Sequence, residues 1–128
     1  MLKKILIVDD SPVARLILKK CLPQDRDFTF LDAGNGQEGV EIFEKENPDL
    51  VFMDLTMPVM NGMQALEIIK KKNNNALVIV VTADIQSKSL MEVAKLGALM
   101  VLKKPPTQEK AEKAIRKAEE AFSERGSI

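Results

Sequence analysis

Four short stretches of this chain are apolar without interruption: ILIV at 5–8, LVFM at 50–53, LVIVV at 77–81 and LMVL at 99–102. A strand that is apolar at every position must be covered on both faces. Runs this brief and this rich in Val, Ile and Leu favour such strands over helices. FTFL at 28–31 alternates instead, and reads as a strand with one wetter face at a sheet edge. Helical spacing fills the intervals. Val13, Leu16, Ile17 and Cys21 share one face, as do Gly39, Val40 and Phe43, then Met63, Leu66 and Ile69, then Leu90, Val93 and Ala94. The last helix carries Ala111, Ala114, Ile115, Ala118 and Phe122 at the same three-to-four period. Five repeats of strand and helix, joined by right-handed crossovers, make an open parallel α/β sheet with helices on both faces.

Local signals agree. Ser11-Pro12 places an N-cap before a proline at the first helical position. Asn35 with Glu38 and Asn61 with Gln64 resemble capping boxes, Thr107 caps the last helix, and Pro48 breaks between a helix and a strand. At 128 residues, a single domain over 1–122 is expected, followed by a short polar tail at 123–128 that frays. Nineteen basic and nineteen acidic residues cancel, which argues against a general nucleic-acid or membrane-surface binder. With Cys21 as its one cysteine and no histidine, the chain has no internal disulfide and no structural zinc set, and it fits a reducing compartment. The first apolar run is too short for a signal peptide or a membrane span, so a cytoplasmic location is expected.

Each buried run ends in chemistry. Asp9 and Asp10 follow the first, Asp54 the third and Thr82 the fourth, while Lys103 and Lys104 follow the fifth, just before Pro105. The alternating strand ends near Asp32. Open parallel sheets bind ligands beyond the carboxyl ends of their strands, where the strand order reverses. If the first and third strands are neighbours there, Asp9, Asp10 and Asp54 share one pocket, with Thr82 and a lysine on its far side. Two like charges about 4 Å apart repel by about 4 kcal/mol at an effective dielectric near 20. Without a cation, one carboxylate is therefore pushed toward protonation. A divalent ion relieves the repulsion, and an all-oxygen site that keeps some waters suits Mg2+. Duller roles exist for each residue, but Ser11 already supplies the cap that Asp10 would otherwise provide, and Asp9 would be left unexplained.

Taken together, VDDSP at 8–12, MDLTMPVMNG at 53–62, VVTA at 80–83 and GALMVLKKP at 97–105 resemble a response-regulator receiver domain over nearly the whole chain. The resemblance implies a flavodoxin-like (βα)5 doubly wound sheet of order 2-1-3-4-5, for which a chemotaxis receiver is itself a standard example. It implies that Asp54 accepts a phosphoryl group from a phosphohistidine on a sensor histidine kinase or phosphotransfer protein. Asp10 would bind Mg2+ directly, Asp9 often through water, and the backbone carbonyl of Thr56 would join Asp54 as a further ligand. Thr82 would bond a phosphoryl oxygen. Lys104, seven residues after Gly97 and directly before proline, matches the family's lysine better than Lys103. The same resemblance implies a cis Lys104–Pro105 bond. It describes a two-component signalling switch, not a conventional enzyme, that catalyses its own phosphorylation and dephosphorylation and passes the signal to a downstream protein.

Two positions depart from the pattern. Val101 stands where many receivers carry Tyr or Phe, and Pro106 where a bulky apolar residue commonly follows Lys-Pro. Coupling is then expected through the loop after Thr82 and the fourth helix. Thr56 and Asp84, each two residues beyond a site residue, are expected to influence phosphoryl lifetime. A chemotaxis-type, stand-alone receiver is the leading reading. A receiver fragment of a longer regulator is the alternative. A flavodoxin-like flavin binder is less favoured, since Asp9 and Asp10 would repel its phosphate and no Tyr or Trp is present to stack the ring. An aspartyl phosphatase would place a second Asp where Thr56 stands.

Overall fold

The computed structural model describes residues 1–83 and 85–126. The elements run β1 (Lys4–Val8), α1 (Pro12–Cys21), β2 (Thr29–Ala33), α2 (Gly36–Glu46), β3 (Leu50–Met53), α3 (Gly62–Lys72), β4 (Val78–Thr82), α4 (Ser87–Lys95), β5 (Met100–Lys103) and α5 (Gln108–Gly126). All strand pairs are parallel and the order is β2-β1-β3-β4-β5, the doubly wound flavodoxin-like arrangement. The chain reverses direction across the sheet between β1 and β3, so the crevice of the fold lies where those two strands end.

Strand periodicity divides the core in two. Leu6, Val8, Val51, Met53 and Val80 face one way and pack with Val40, Phe43, Leu66, Ile69 and Val93 of α2, α3 and α4. Ile5, Ile7, Leu50, Phe52 and Ile79 face the other way and pack with Leu18 of α1, Leu22 just after it, and Ala111, Ala114 and Ile115 of α5. Ser11, Asn35 and Thr107 accept from the backbone N–H three residues on, and Asn61 with Gln64 forms a complete reciprocal capping box.

Several details differ from the sequence expectations. β2 lies further along than FTFL, at Thr29–Ala33, so Asp32 sits within the strand rather than after it. The apolar face assigned to α1 is a correction. Val13, Leu16 and Ile17 are 65%, 51% and 42% exposed, and Leu18 and Leu22 make the buried contact instead. The apolar arc of this helix is wider than the arc the sheet covers, and periodicity alone does not say which edge turns inward. α5 runs to Gly126, through most of the expected tail; residues 127–128 lie outside the described residues. Among the described residues no helix is long and apolar enough to cross a membrane.

The segment between β3 and α3 is built on close approach. Gly36 N–H donates to the Met60 carbonyl and Gly62 N–H to the Leu55 carbonyl, both at 3.0 Å. A Cβ on Gly62 would collide with the backbone carbonyl of Asp54, whereas one on Gly34 would meet open space. Backbone cannot rotate aside as a side chain can. Gly62→Ala is therefore expected to destabilise by about 3 kcal/mol, the upper end for overpacking. Gly34→Ala should fall within about 1 kcal/mol of the parent. Urea unfolding of the two variants checks the contrast.

Candidate functional site

The carboxyl ends of β1 and β3 lie side by side, with Val8 in register with Met53. The residues that follow them, Asp9 and Asp54, are buried at 5% and 6% exposure. Asp9 is held at every polar atom. Its N–H donates to the Ala33 carbonyl (3.0 Å), Oδ1 accepts from Ser11 N–H (2.9 Å), Oδ2 from Lys104 Nζ (2.7 Å), and its carbonyl from the Arg15 guanidinium. Asp54 N–H donates to the Val8 carbonyl at 3.0 Å, and its Oδ2 lies 3.3 Å from Lys104 Nζ. Asp10 is exposed, yet Asp9, Asp10 and Asp54 each bring one oxygen within 4.8 Å of the others. The expected acidic cluster is therefore assembled.

The other expected residues are placed as follows. Thr82 is buried at the last position of β4, and its carbonyl accepts from Lys104 N–H at 2.9 Å. Of the two lysines, Lys104 reaches the acids, while Lys103 is exposed at the end of β5. The Lys104–Pro105 bond is cis. Thr56 is exposed in the loop after β3, and Asp84 lies outside the described residues. Val101 is half-buried against the core on the α3 and α4 side. Pro106 helps to line an apolar hollow of about 370 Å³ beside Asp9 and Asp54, together with Ile17, Leu18, Phe52 and Val81.

Sequence reasoning missed two features. One is the chain of contacts from Asp9 through Arg15 to Asp32 and Lys19. Its signal was present, since Arg15 and Lys19 are one helical turn apart and Asp32 lies on the neighbouring strand. The other is Val59, which has φ +68° and is 82% exposed. It centres a tight turn closed by Met60 N–H on the Pro58 carbonyl at 2.7 Å. That conformation is unfavourable for a β-branched residue. No local rule places a valine there.

The electrostatics follow from burial. Desolvation pushes the Asp54 carboxyl above its ordinary range; Lys104 pulls it back, and the Asp9 charge adds to the rise. For Lys104, burial pulls the ammonium down, but the bond to Asp9 and the charges of Asp54 and Asp9 outweigh it and leave its pKa raised. One ammonium does not balance three carboxylates. The donor set is all oxygen, within one ion's reach, and open to solvent at Asp10, which fits a hard divalent cation that keeps part of its water shell.

The sequence matches the family described as response regulator receiver domain across residues 5–116. It is 37% identical over 115 residues to the chemotaxis protein CheY of Thermotoga maritima, covering 90% of this chain and 96% of that one. It is 36% identical over 117 residues to sporulation initiation phosphotransferase F of Bacillus subtilis, covering 91% and 94%. Its fold superposes with a TM-score of 0.81 and 28% identity on a chain of the CheX–CheY–BeF3–Mg complex from Borrelia burgdorferi, covering 94% of this chain and 89% of that one.

The raised Asp54 carboxyl has a consequence for stability. A carboxyl whose folded pKa exceeds its unfolded value binds more protons when folded, so stability falls as pH rises through that window. The penalty is fully present above the folded pKa and disappears below the unfolded one. Without divalent cations, Asp54→Asn is expected to melt higher than the parent at neutral pH, with the difference shrinking on acidification. Melting curves across pH 3–8, in chelator, check both the sign and the trend.

Proposed function

This chain belongs to the response regulator receiver domain family, and from that premise we propose that it is a phosphorylated signalling switch whose acceptor is Asp54. The observation that carries the reading is the pairing of Asp54 with Lys104 at 3.3 Å inside an acidic cluster fit for a divalent ion. Phosphoryl transfer asks mainly for positioning and charge stabilisation. Asp9, Asp10, Asp54 and the Thr56 carbonyl would hold Mg2+. When bound, the ion supplies counter-charge to the carboxylates and to the phosphoryl oxygens.

The chain's own residues do the rest. An Asp54 oxygen attacks the phosphorus of a phosphohistidine; the P–O bond forms as the P–N bond breaks, and the donor imidazole leaves with the electron pair. Lys104, held between Asp9 and Asp54, offers its ammonium to a phosphoryl oxygen. Thr82, at the end of the strand next to β3, offers a hydroxyl to another. Hydrolysis of the acyl phosphate by water resets Asp54, and Thr56 and Asp84 are the positions expected from the sequence to influence its rate.

The donor is a sensor histidine kinase or phosphotransfer protein, and the output is a downstream protein target. Exposed Val13, Leu16 and Ile17 on α1 and Val59 after β3 support a protein partner, since they put apolar surface on elements that leave the same end of the sheet. The family relatives named above support phosphoryl chemistry over a flavin site.

Incubation with acetyl phosphate and Mg2+, read by intact mass, is expected to add one phosphoryl group. Asp54→Ala should abolish the adduct. Lys104→Ala should keep Mg2+ binding but slow adduct formation by about 100-fold, the usual cost of one charge-stabilising donor. An adduct that persists in Asp54→Ala would refute the assignment.

A further inference from the structure

Asp10 is the least supported member of the acidic cluster. Asp9 and Asp54 are buried and paired with Lys104; Asp10 is exposed, and among the described residues no hydrogen bond or ion pair holds its carboxylate. What aims it is therefore its backbone. The peptide plane joining Asp9 to Asp10 is fixed on the Asp9 side by the carbonyl, and that carbonyl accepts from Arg15 Nη1. Arg15 is not free to wander. Its Nε donates to Asp32 Oδ2 at 3.1 Å, and Lys19 Nζ takes Asp32 Oδ1 at 2.8 Å. The Arg15 side chain is only 17% exposed. Asp32 is in turn anchored by β2, whose Ala33 carbonyl accepts from Asp9 N–H. Asp9 is thus gripped from both sides of its backbone by neighbours that converge from α1 and β2.

We propose that Arg15 is a positioning residue for the cation site: oriented by Asp32, its guanidinium holds the Asp9 carbonyl and so fixes the peptide plane that aims the Asp10 carboxylate. The inference rests on the reading of Asp9, Asp10 and Asp54 as cation ligands. It assigns a task to Asp32, the strand acid that the phosphoryl chemistry leaves unused. It also makes a prediction whose sign runs against simple electrostatics. Arg15 is a positive charge close to a site for a divalent cation, so as a charge alone it repels the ion, and its removal would tighten binding. As a positioning group its removal loosens Asp10 and weakens binding. The forked guanidinium reaches two acceptors in fixed directions, which an ammonium on a flexible stem does not reproduce.

The test is Mg2+ affinity by isothermal titration calorimetry on the parent, Arg15→Lys, Arg15→Met and Asp32→Asn, with the Asp10 amide followed by NMR. Melting temperature in chelator is recorded alongside. Outer contacts of this kind change metal affinity by about tenfold or more. Arg15→Lys, which keeps the charge, should bind Mg2+ about tenfold more weakly, Arg15→Met at least as weakly, and Asp32→Asn with a smaller loss. The Asp10 amide should broaden or shift in all three even without Mg2+. Unchanged affinity in Arg15→Lys, or tighter binding in Arg15→Met, would overturn the inference and leave Arg15 a bystander charge. A parent protein that does not bind Mg2+ would overturn the cation-site reading and this inference together.

Discussion

The arrangement depends on Lys104 standing between two buried carboxylates that would otherwise face each other alone. Asp9 and Asp54 are brought together by the β1–β3 register, in which Val8 pairs with Met53 and each strand sends side chains into both core layers. Slipping either strand by one residue would exchange the side chains fitted to the two core layers, so moving the backbone to relieve the repulsion would cost core packing. It is met from β5, two strands away from β3, whose last residue is followed by the lysine. Burial opposes the ammonium as it opposes the acids, and the ion pairs outweigh it for the lysine but not for Asp54. The remaining excess of negative charge is what makes the mouth of the sheet receptive to a cation.

Much of this was legible in the sequence because a strand covered on both faces leaves a nearly unbroken apolar run. The runs at 50–53 and β3 coincide, the run at 5–8 lacks only the first residue of β1, and those at 77–81 and 99–102 are each shifted by one residue from β4 and β5. Residues that end such runs emerge at one rim, which puts Asp9, Asp54, Thr82 and a lysine together, while the choice of Lys104 over Lys103 comes from the resemblance to receivers. The half-covered elements were less legible. β2 at the sheet edge tolerates polar and apolar residues alike, so its bounds at Thr29–Ala33 lie beyond the alternating run at 28–31. α1 carries more apolar residues than the sheet can cover, so its inward edge was misjudged. The spacing of Arg15, Lys19 and Asp32 is legible as an ion-pair set, but the bond from Arg15 to the Asp9 carbonyl is not, because side-chain patterning carries no record of main-chain acceptors.

Hydrogen bonds and close backbone approaches are concentrated after β1 and β3. Asp9 uses every polar atom, and the loop after Asp54 is closed by Gly36, Gly62 and the turn at Val59. An exposed valine held at positive φ is uphill locally, and the surrounding bonds over-determine it. These contacts give Asp54 a preorganised seat and keep the acids from separating despite their repulsion.

The opposite side of the site is built differently. α4 buries a single side chain, Val93. An element with so little burial sits at the low-stability end of the molecule, where local rearrangement costs least. It follows directly on the segment that leaves Thr82. On the proposed reading, a phosphoryl group drawing on the Thr82 hydroxyl would act on an element with little burial to resist it. Val101, half-buried against the core of that side, offers no ring to rotate with it. If Asp54 is phosphorylated as proposed, the mechanical consequence is expected in α4, whose single buried side chain holds it less firmly, and not in a ring at position 101.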